Sequence, residues 1–276
     1  MTANLTTARV KTSLIGRALD AIERNRLYRD VWEIALVAIA FLLYFTVRGL
    51  VVDRAEEAMT NANDIIDLER SLGIFWEPRL QELIIDNRAL VQLMNAVYFW
   101  LDFPLIVAVG LFLYFRKRHE YTVARDAMLL SGAISLIIYN FYPVMPPRLL
   151  PGGEFIGTIE KYSDLSYQAS STAAFVNPYA AVPSLHFGWA MILGGTVFIA
   201  YKNLAVRALA LLLPWAQLAA IVFTANHYIF DAFVGLVVCL AGTALAWGAQ
   251  RWLYPWVQRE TSRRWRGTPE PGITST

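Results

Sequence analysis

Six long apolar runs restrict the fold of this chain more than any other feature. A helix needs about 20 mostly apolar residues to cross roughly 30 Å of hydrocarbon. The runs cover residues 32–52, 93–115, 127–144, 185–201, 204–223 and 228–247, of which the third to fifth are shorter or weaker. Backbone groups in lipid must be paired within the protein, and the alternation typical of barrel strands is absent. The sequence therefore predicts an all-α integral membrane bundle of six transmembrane helices.

The composition agrees with a membrane location. Of the 276 residues, 57% are apolar and 17% are charged, whereas soluble domains carry about 25% charged residues. The net charge of +2 balances 24 basic against 22 acidic residues. It argues against nucleic acid as a partner, because phosphate backbones attract a clustered basic excess. The single cysteine, Cys239, excludes an internal disulfide and a cysteine-based zinc site.

The basic residues are unevenly distributed among the connections between the runs. They are dense before the first run, between the second and third, between the fourth and fifth, and after the sixth. The positive-inside rule then predicts a multi-pass protein with both termini in the cytoplasm. We expect residues 1–31 to form a cytoplasmic amphipathic segment, residues 32–250 the membrane domain, and residues 251–276 a partly disordered cytoplasmic tail.

Two connections on the outer side are long enough to carry structure. Residues 54–91 combine mixed charges with helical apolar spacing, which predicts outer interfacial helices broken near Gly73 and Pro78. Residues 145–183 are predicted to form an outer loop. A loop this long is more often functional than idle.

Two of the three histidines lie where predicted helices meet the outer face. His186 follows Ser184 at the start of the fourth run, His227 is at the start of the sixth, and Arg148 follows the third. Ionisable groups at membrane depth are costly and are therefore candidates for function. The predicted topology brings these sequence-distant groups to one membrane face at similar depth. His119 instead lies in a basic run that we expect to be solvated.

The chemistry of these groups suits phosphate. His227 and Asp231 are four residues apart, so the carboxylate can orient the imidazole and make its other nitrogen a nucleophile. Ser184 can cap a helix whose N-terminus favours phosphate, and His186 can protonate a leaving oxygen. Arg148 can bind phosphate through two hydrogen bonds. Taken singly, a His–Asp pair can also tie helices together, and Pro-Ser is an ordinary helix start.

Pro-Ser-Leu-His at 183–186, together with His-x-x-x-Asp at 227–231, resembles the phosphatidic acid phosphatase type 2 superfamily. Pro-Pro-Arg after the third run is similar to its inositol phosphorylceramide synthase branch. The resemblance implies a metal-independent lipid phosphatase or phosphotransferase without a cofactor. In it His227 takes up phosphate, Asp231 orients His227 and His186 is the general acid. The implied substrate is a phospholipid or polyprenyl phosphate, with a polyol or lipid hydroxyl as a possible acceptor and the active site on the extracytoplasmic side.

The motifs are incomplete in this chain. The superfamily has a lysine seven residues before its Arg-Pro, but Phe141 and Leu149 stand at the corresponding positions around Arg148. Its Ser-Arg before the second histidine corresponds to Ala220 and Ile221. Other groups must therefore help to bind phosphate. The predicted phosphate-binding residues are Arg148, Ser184, Asn226, Tyr142 and Arg48.

Other functions stay open at this stage. Asp102 lies within the second run, where we expect it to make a helix-packing hydrogen bond or to pair with Arg48. In a membrane transporter, these two charges would line a path instead. A polyprenyl or phosphatidic acid phosphohydrolase without transfer activity, a vanadate-dependent haloperoxidase and a non-catalytic membrane organiser are further alternatives.

Overall fold

The computed structural model describes residues 26–49, 54–162 and 178–265, and for Arg48 it describes the backbone alone. Within these ranges the chain is helical, with no strand and one isolated bridge between Val144 and Ala180, so the all-α fold class is confirmed there. The helices are α1 (Arg26–Gly49), α2 (Ala55–Leu72), α3 (Glu77–Ile85), α4 (Arg88–Trp100), α5 (Phe103–Arg116), α6 (Arg118–Phe141), α7 (Thr158–Tyr162), α8 (Leu185–Ala200), α9 (Leu204–Phe223), α10 (Ile229–Gly248) and α11 (Tyr254–Trp265), with a 3-10 helix at Pro147–Leu149.

The chain divides into two compact units. Residues 42–247 form one unit, which contains all the candidate catalytic side chains discussed below. Residues 1–41 and 248–276 form the other, of which 26–41 and 248–265 are described.

Three helices in the described part of the chain are long and apolar enough to cross a membrane: α6, α9 and the segment Ile229–Val257. Helices α4 and α5 form a fourth possible span with a bend of 43° between them. Helix α8 is apolar but has only 16 residues, or about 24 Å of helix. The first predicted run falls partly on residues outside the described ranges. The structure therefore supports a membrane protein with three to four candidate spans, and the six-span layout stays a prediction.

Residues 251–265, the first part of the predicted C-terminal tail, are helical. Helix α10 continues through a π-helical turn at Ala249–Leu253 into α11. Pro255, which has no N–H to bond within a helix, stands two residues after this π-helical turn. The remainder of the tail, residues 266–276, and residues 1–25 of the predicted amphipathic segment lie outside the described residues.

The connection at 54–91 contains three helices, α2, α3 and the start of α4. Gly73 ends α2 in the left-handed region at φ 70°, and Pro78 stands in the first turn of α3. One face of α2 is buried by the chain segments around the candidate site. The packed residues are Ala58, Ala62, Ile65, Ile66, Val144, Met145, Ala181, Val182 and Tyr228. Helix α2 therefore braces these segments, and its placement at the outer interface stays a prediction.

Helices α8 and α10 approach each other closely at two glycines. A Cβ atom on Gly235 would lie 2.3 Å from the carbonyl oxygen of Ser184, and one on Gly188 would lie 2.4 Å from Sγ of Cys239. The open side of Gly188 is filled by α10. These glycines set the distance between the helix starts that carry the two histidines.

We predict that Gly235→Ala lowers the free energy of unfolding by about 1–3 kcal/mol, because the new methyl group meets rigid backbone. Gly195→Ala is the matched control, since nothing lies within 4 Å of the added atom and alanine favours a helix. Chemical unfolding of both variants in mixed micelles measures the difference. Equal stability of the two variants would contradict the close packing described here.

Candidate active site

His227 lies in the tight turn between α9 and α10. The backbone N–H groups of Asn226 and His227 both donate to the carbonyl of Ile221, at 3.0 and 3.2 Å. Ala225 adopts the left-handed region at φ 55°, which costs a non-glycine residue roughly 1–2 kcal/mol. The N–H of Arg148 donates to the carbonyl of Ala225 at 2.9 Å. The turn that presents His227 is thus held from both sides.

The surroundings of His227 determine which ring nitrogen carries the proton. Its Nδ1 lies 2.9 Å from the carbonyl oxygen of Ala181 and 3.1 Å from Oδ2 of Asp231. Asp231 is fully buried, and its Oδ2 also accepts the N–H of Tyr228 at 2.9 Å. Both neighbours of Nδ1 act as acceptors, so Nδ1 holds the proton and the lone pair lies on Nε2.

The segment at 179–184 is fixed by hydrogen bonds from three neighbouring parts of the protein. The N–H of Val144 donates to the carbonyl of Tyr179 at 2.8 Å, and the hydroxyl of Tyr139 donates to the carbonyl of Pro183 at 2.7 Å. The N–H of Ser184 donates to the carbonyl of Asp231 at 3.0 Å. Since His186 follows within the first turn of α8, these bonds fix its ring relative to α10.

His186 and His227 face each other, with ring centroids 5.4 Å apart. The ring of His186 stacks on Tyr98 at a centroid distance of 4.5 Å. Its Nε2 lies 3.3 Å from Oδ2 of Asp102, which is 7% exposed. Asp102 stands at the bend between α4 and α5, followed by Pro104 in the first turn of α5. The bend therefore brings a carboxylate to His186.

The two histidines line one cavity with a volume of about 70 Å³. Asp102, Arg148 and Asn226 also line it. The side-chain amide of Asn226 donates to Oγ1 of Thr224 at 2.7 Å, so this amide also supports the turn before His227. The cavity thus combines two imidazoles, a guanidinium and a carboxylate, a set of groups that can bind an anion and move protons.

Four of the predicted site residues line the cavity: His186, His227, Arg148 and Asn226. Asp231 contacts Nδ1 of His227 without lining the cavity, and three others are not among the described lining residues. Ser184 occupies the cap position of α8, yet its hydroxyl makes no cap bond and has no partner among the described residues. Tyr142 is 37% exposed, and its phenol lies near Asp64 on α2. The side chain of Arg48 lies outside the described residues, as does its possible pairing with Asp102.

The contact between Asp102 and His186 is a feature of the site that the sequence did not predict. The sequence suggested a packing bond or a pairing with Arg48. Among the described residues, Oδ2 of Asp102 lies 3.3 Å from Nε2 of His186. The signal available was the presence of a carboxylate within an apolar run. The direction in which the Asp102 side chain points depends on the bend between α4 and α5. Residue spacing along one helix does not reveal that bend.

Among the described residues, no cluster of three or more His, Cys, Asp or Glu side chains is arranged to hold a metal ion.

The cavity of this apolar helical bundle is lined by two histidines, an aspartate and an arginine. This combination is typical of a membrane protein with a polar functional site. The family model of the PAP2 superfamily matches residues 63–245, about two thirds of the chain. The chain therefore belongs to the PAP2 superfamily, whose members are generally phosphatases, and this supports lipid phosphate chemistry in general. No curated protein and no solved structure matches it.

Proposed function

We propose that this protein transfers phosphoryl groups from a lipid phosphate or phosphodiester through a phosphohistidine on His227. The observation that supports it most is the pair of facing imidazoles, 5.4 Å apart, each beside a carboxylate. Arg148 lines the same cavity and can bind the phosphate oxygens. Membership of the PAP2 superfamily supports the lipid phosphate class in general.

In the first step, Nε2 of His227 attacks phosphorus and the bond from phosphorus to the lipid oxygen breaks. Asp231 stabilises the positive charge that develops on the ring, because its carboxylate lies at Nδ1. The leaving alkoxide takes a proton from His186, which acts as the general acid. Asp102 holds that imidazole through Nε2, and it stabilises the protonated ring before transfer.

In the second step, an acceptor hydroxyl gives its proton to His186 and attacks the phosphorus on His227. The nitrogen–phosphorus bond breaks, and both histidines return to their starting state. Water as the acceptor gives a phosphatase, whereas a lipid or polyol hydroxyl gives a phosphotransferase. The same two side chains therefore serve both reactions, and access of the acceptor decides between them.

The charge of the cavity favours a phosphodiester substrate, and with it a phosphotransferase reaction. Among the described residues that line it, Arg148 is the only arginine or lysine, and Asp102 adds a carboxylate. A phosphodiester carries one negative charge, whereas a phosphomonoester carries close to two near neutral pH. We therefore include in the proposal an inositol phosphorylceramide synthase-like reaction. Its site would lie at the extracytoplasmic face of a six-span protein with both termini in the cytoplasm, as the basic residues predict.

We predict that His227→Ala lowers turnover of lipid phosphates and phosphodiesters by at least about 10³-fold. The assay uses purified protein in detergent with EDTA, with and without polyol or lipid acceptors. His119→Ala is the matched control, because His119 is exposed and lies outside the cavity. Turnover by folded His227→Ala at the control's rate would contradict the proposal, and complete dependence on added metal would contradict its mechanism.

The role assigned to Asp102 makes a separate prediction. With an alkyl phosphate ester, whose leaving oxygen needs a proton, Asp102→Asn should lower kcat by about 10²-fold. With a nitrophenyl ester, whose leaving group departs without a proton, the same variant should change the single-turnover release of nitrophenol little, because that release reports the first step alone. His227→Ala should lose both activities. An equal loss of the single-turnover release from both esters in Asp102→Asn would show that Asp102 supports the structure rather than proton donation.

A further inference from the structure

The start of α10 is capped by side chains from two other helices. Its first backbone N–H groups have no carbonyl partner within the helix. The N–H of Ile229 donates to Oε1 of Glu77 at 2.8 Å, and the N–H of Phe230 donates to Oε1 of Glu69 at 2.7 Å. A cap normally comes from the residue just before the helix. Here it comes from the end of α2 and the start of α3, so two outer helices hold α10 at its N-terminus.

Both capping glutamates are completely buried, with 0% exposure. Both Oε2 atoms lack a donor among the described residues, and the two carboxylates are close enough to interact with each other. Ionised carboxylates only accept hydrogen bonds, so the two groups can bond to each other only if one of them is protonated. The arrangement therefore fits a pair that carries one proton and one negative charge.

The electrostatics of the pair agree with a shared proton. Burial, and then the charge of Glu77, raises the pKa of Glu69 to about 9, while burial also raises the pKa of Glu77. The titratable groups that face the pair from α10 and the turn before it are Asp231 and Tyr228, and Glu154 acts on Tyr228 from the outer loop. A single negative charge suits the positive end of the helix dipole, whereas a second would repel both Asp231 and the first.

We propose that Glu69 and Glu77 share one proton and act as positioning residues that hold the start of α10, and with it His227, in the reactive geometry. The activity part of this inference rests on the proposed function, whereas the shared proton does not. His227 is two residues before the first capped N–H, so movement of the cap shifts the nucleophile. A displacement of about 1 Å at a reacting group can cost about 10²-fold in rate.

The shared proton has a defined effect on stability. The pKa of Glu69 lies at about 9 in the folded protein, against an ordinary value of 4.5. Between these values the folded state binds more protons than the unfolded state, so stability falls as pH rises. This contribution is complete below pH 4.5 and is lost as pH passes about 9. Gln at position 69 has no proton to lose, so Glu69→Gln removes this dependence.

The experiment compares two substitutions at one position. Glu69→Met removes the acceptor for Phe230 N–H and the proton donor for Glu77, so kcat should fall by about 10²-fold with little change in KM. Glu69→Gln keeps an acceptor and a donor, and it should restore most of that kcat. Glu82→Gln is the matched control, because Glu82 is exposed on α3. Kinetics in detergent are combined with unfolding temperatures from neutral pH to above pH 9.

The expected result is an unfolding temperature that falls with pH in the wild type and in Glu82→Gln, but less in Glu69→Gln. An equal fall in Glu69→Gln would overturn the shared proton, and wild-type kcat in folded Glu69→Met would overturn the positioning role. If Glu69→Met does not fold, the pH comparison with Glu69→Gln still decides. Failure of the proposed function is distinguished by an active His227→Ala, and it leaves the pH comparison valid.

Discussion

The arrangement of this site depends on Asp231, which connects the two histidine-bearing parts of the chain. Its side chain lies against Nδ1 of His227 and accepts the N–H of Tyr228. Its backbone carbonyl accepts the N–H of Ser184, two residues before His186. One fully buried residue therefore fixes the tautomer of His227 and the start of the helix that carries His186. The two imidazoles meet because the segments that carry them both bond to Asp231 at the start of α10.

Other parts of the protein also hold the start of α10 and its neighbouring segments in place. The absence of a side chain at Gly235 lets Ser184 approach α10, and α2 packs beneath Val144, Ala181 and Tyr228. Helices α2 and α3 add two glutamates that cap α10. Charged and polar groups are costly in an apolar bundle unless they are paired. Around one cavity these groups can pair with one another. The same arrangement concentrates the groups that phosphate chemistry requires.

The sequence predicted the features that follow from spacing along one helix. His227 and Asp231 are one turn apart, so their contact follows from helix geometry, and the predicted topology brought His186 and Arg148 to the same region. Contacts set by three-dimensional bends were not predictable. Asp102 turns toward His186 at the junction of α4 and α5. Glu69 and Glu77 resembled the charges of an interfacial helix, although both are buried. The composition of residues 251–265 did not reveal that α10 continues into α11.

The central claim is a double displacement at phosphorus in which His227 holds the phosphoryl group between two in-line steps. The stereochemical course with a phosphate ester that is chiral at phosphorus tests it most directly. Each displacement inverts the configuration, so two displacements give net retention, and this is the predicted result for hydrolysis and for transfer. Net inversion would mean direct attack by the acceptor on the bound substrate, and it would contradict a phosphohistidine on the reaction path.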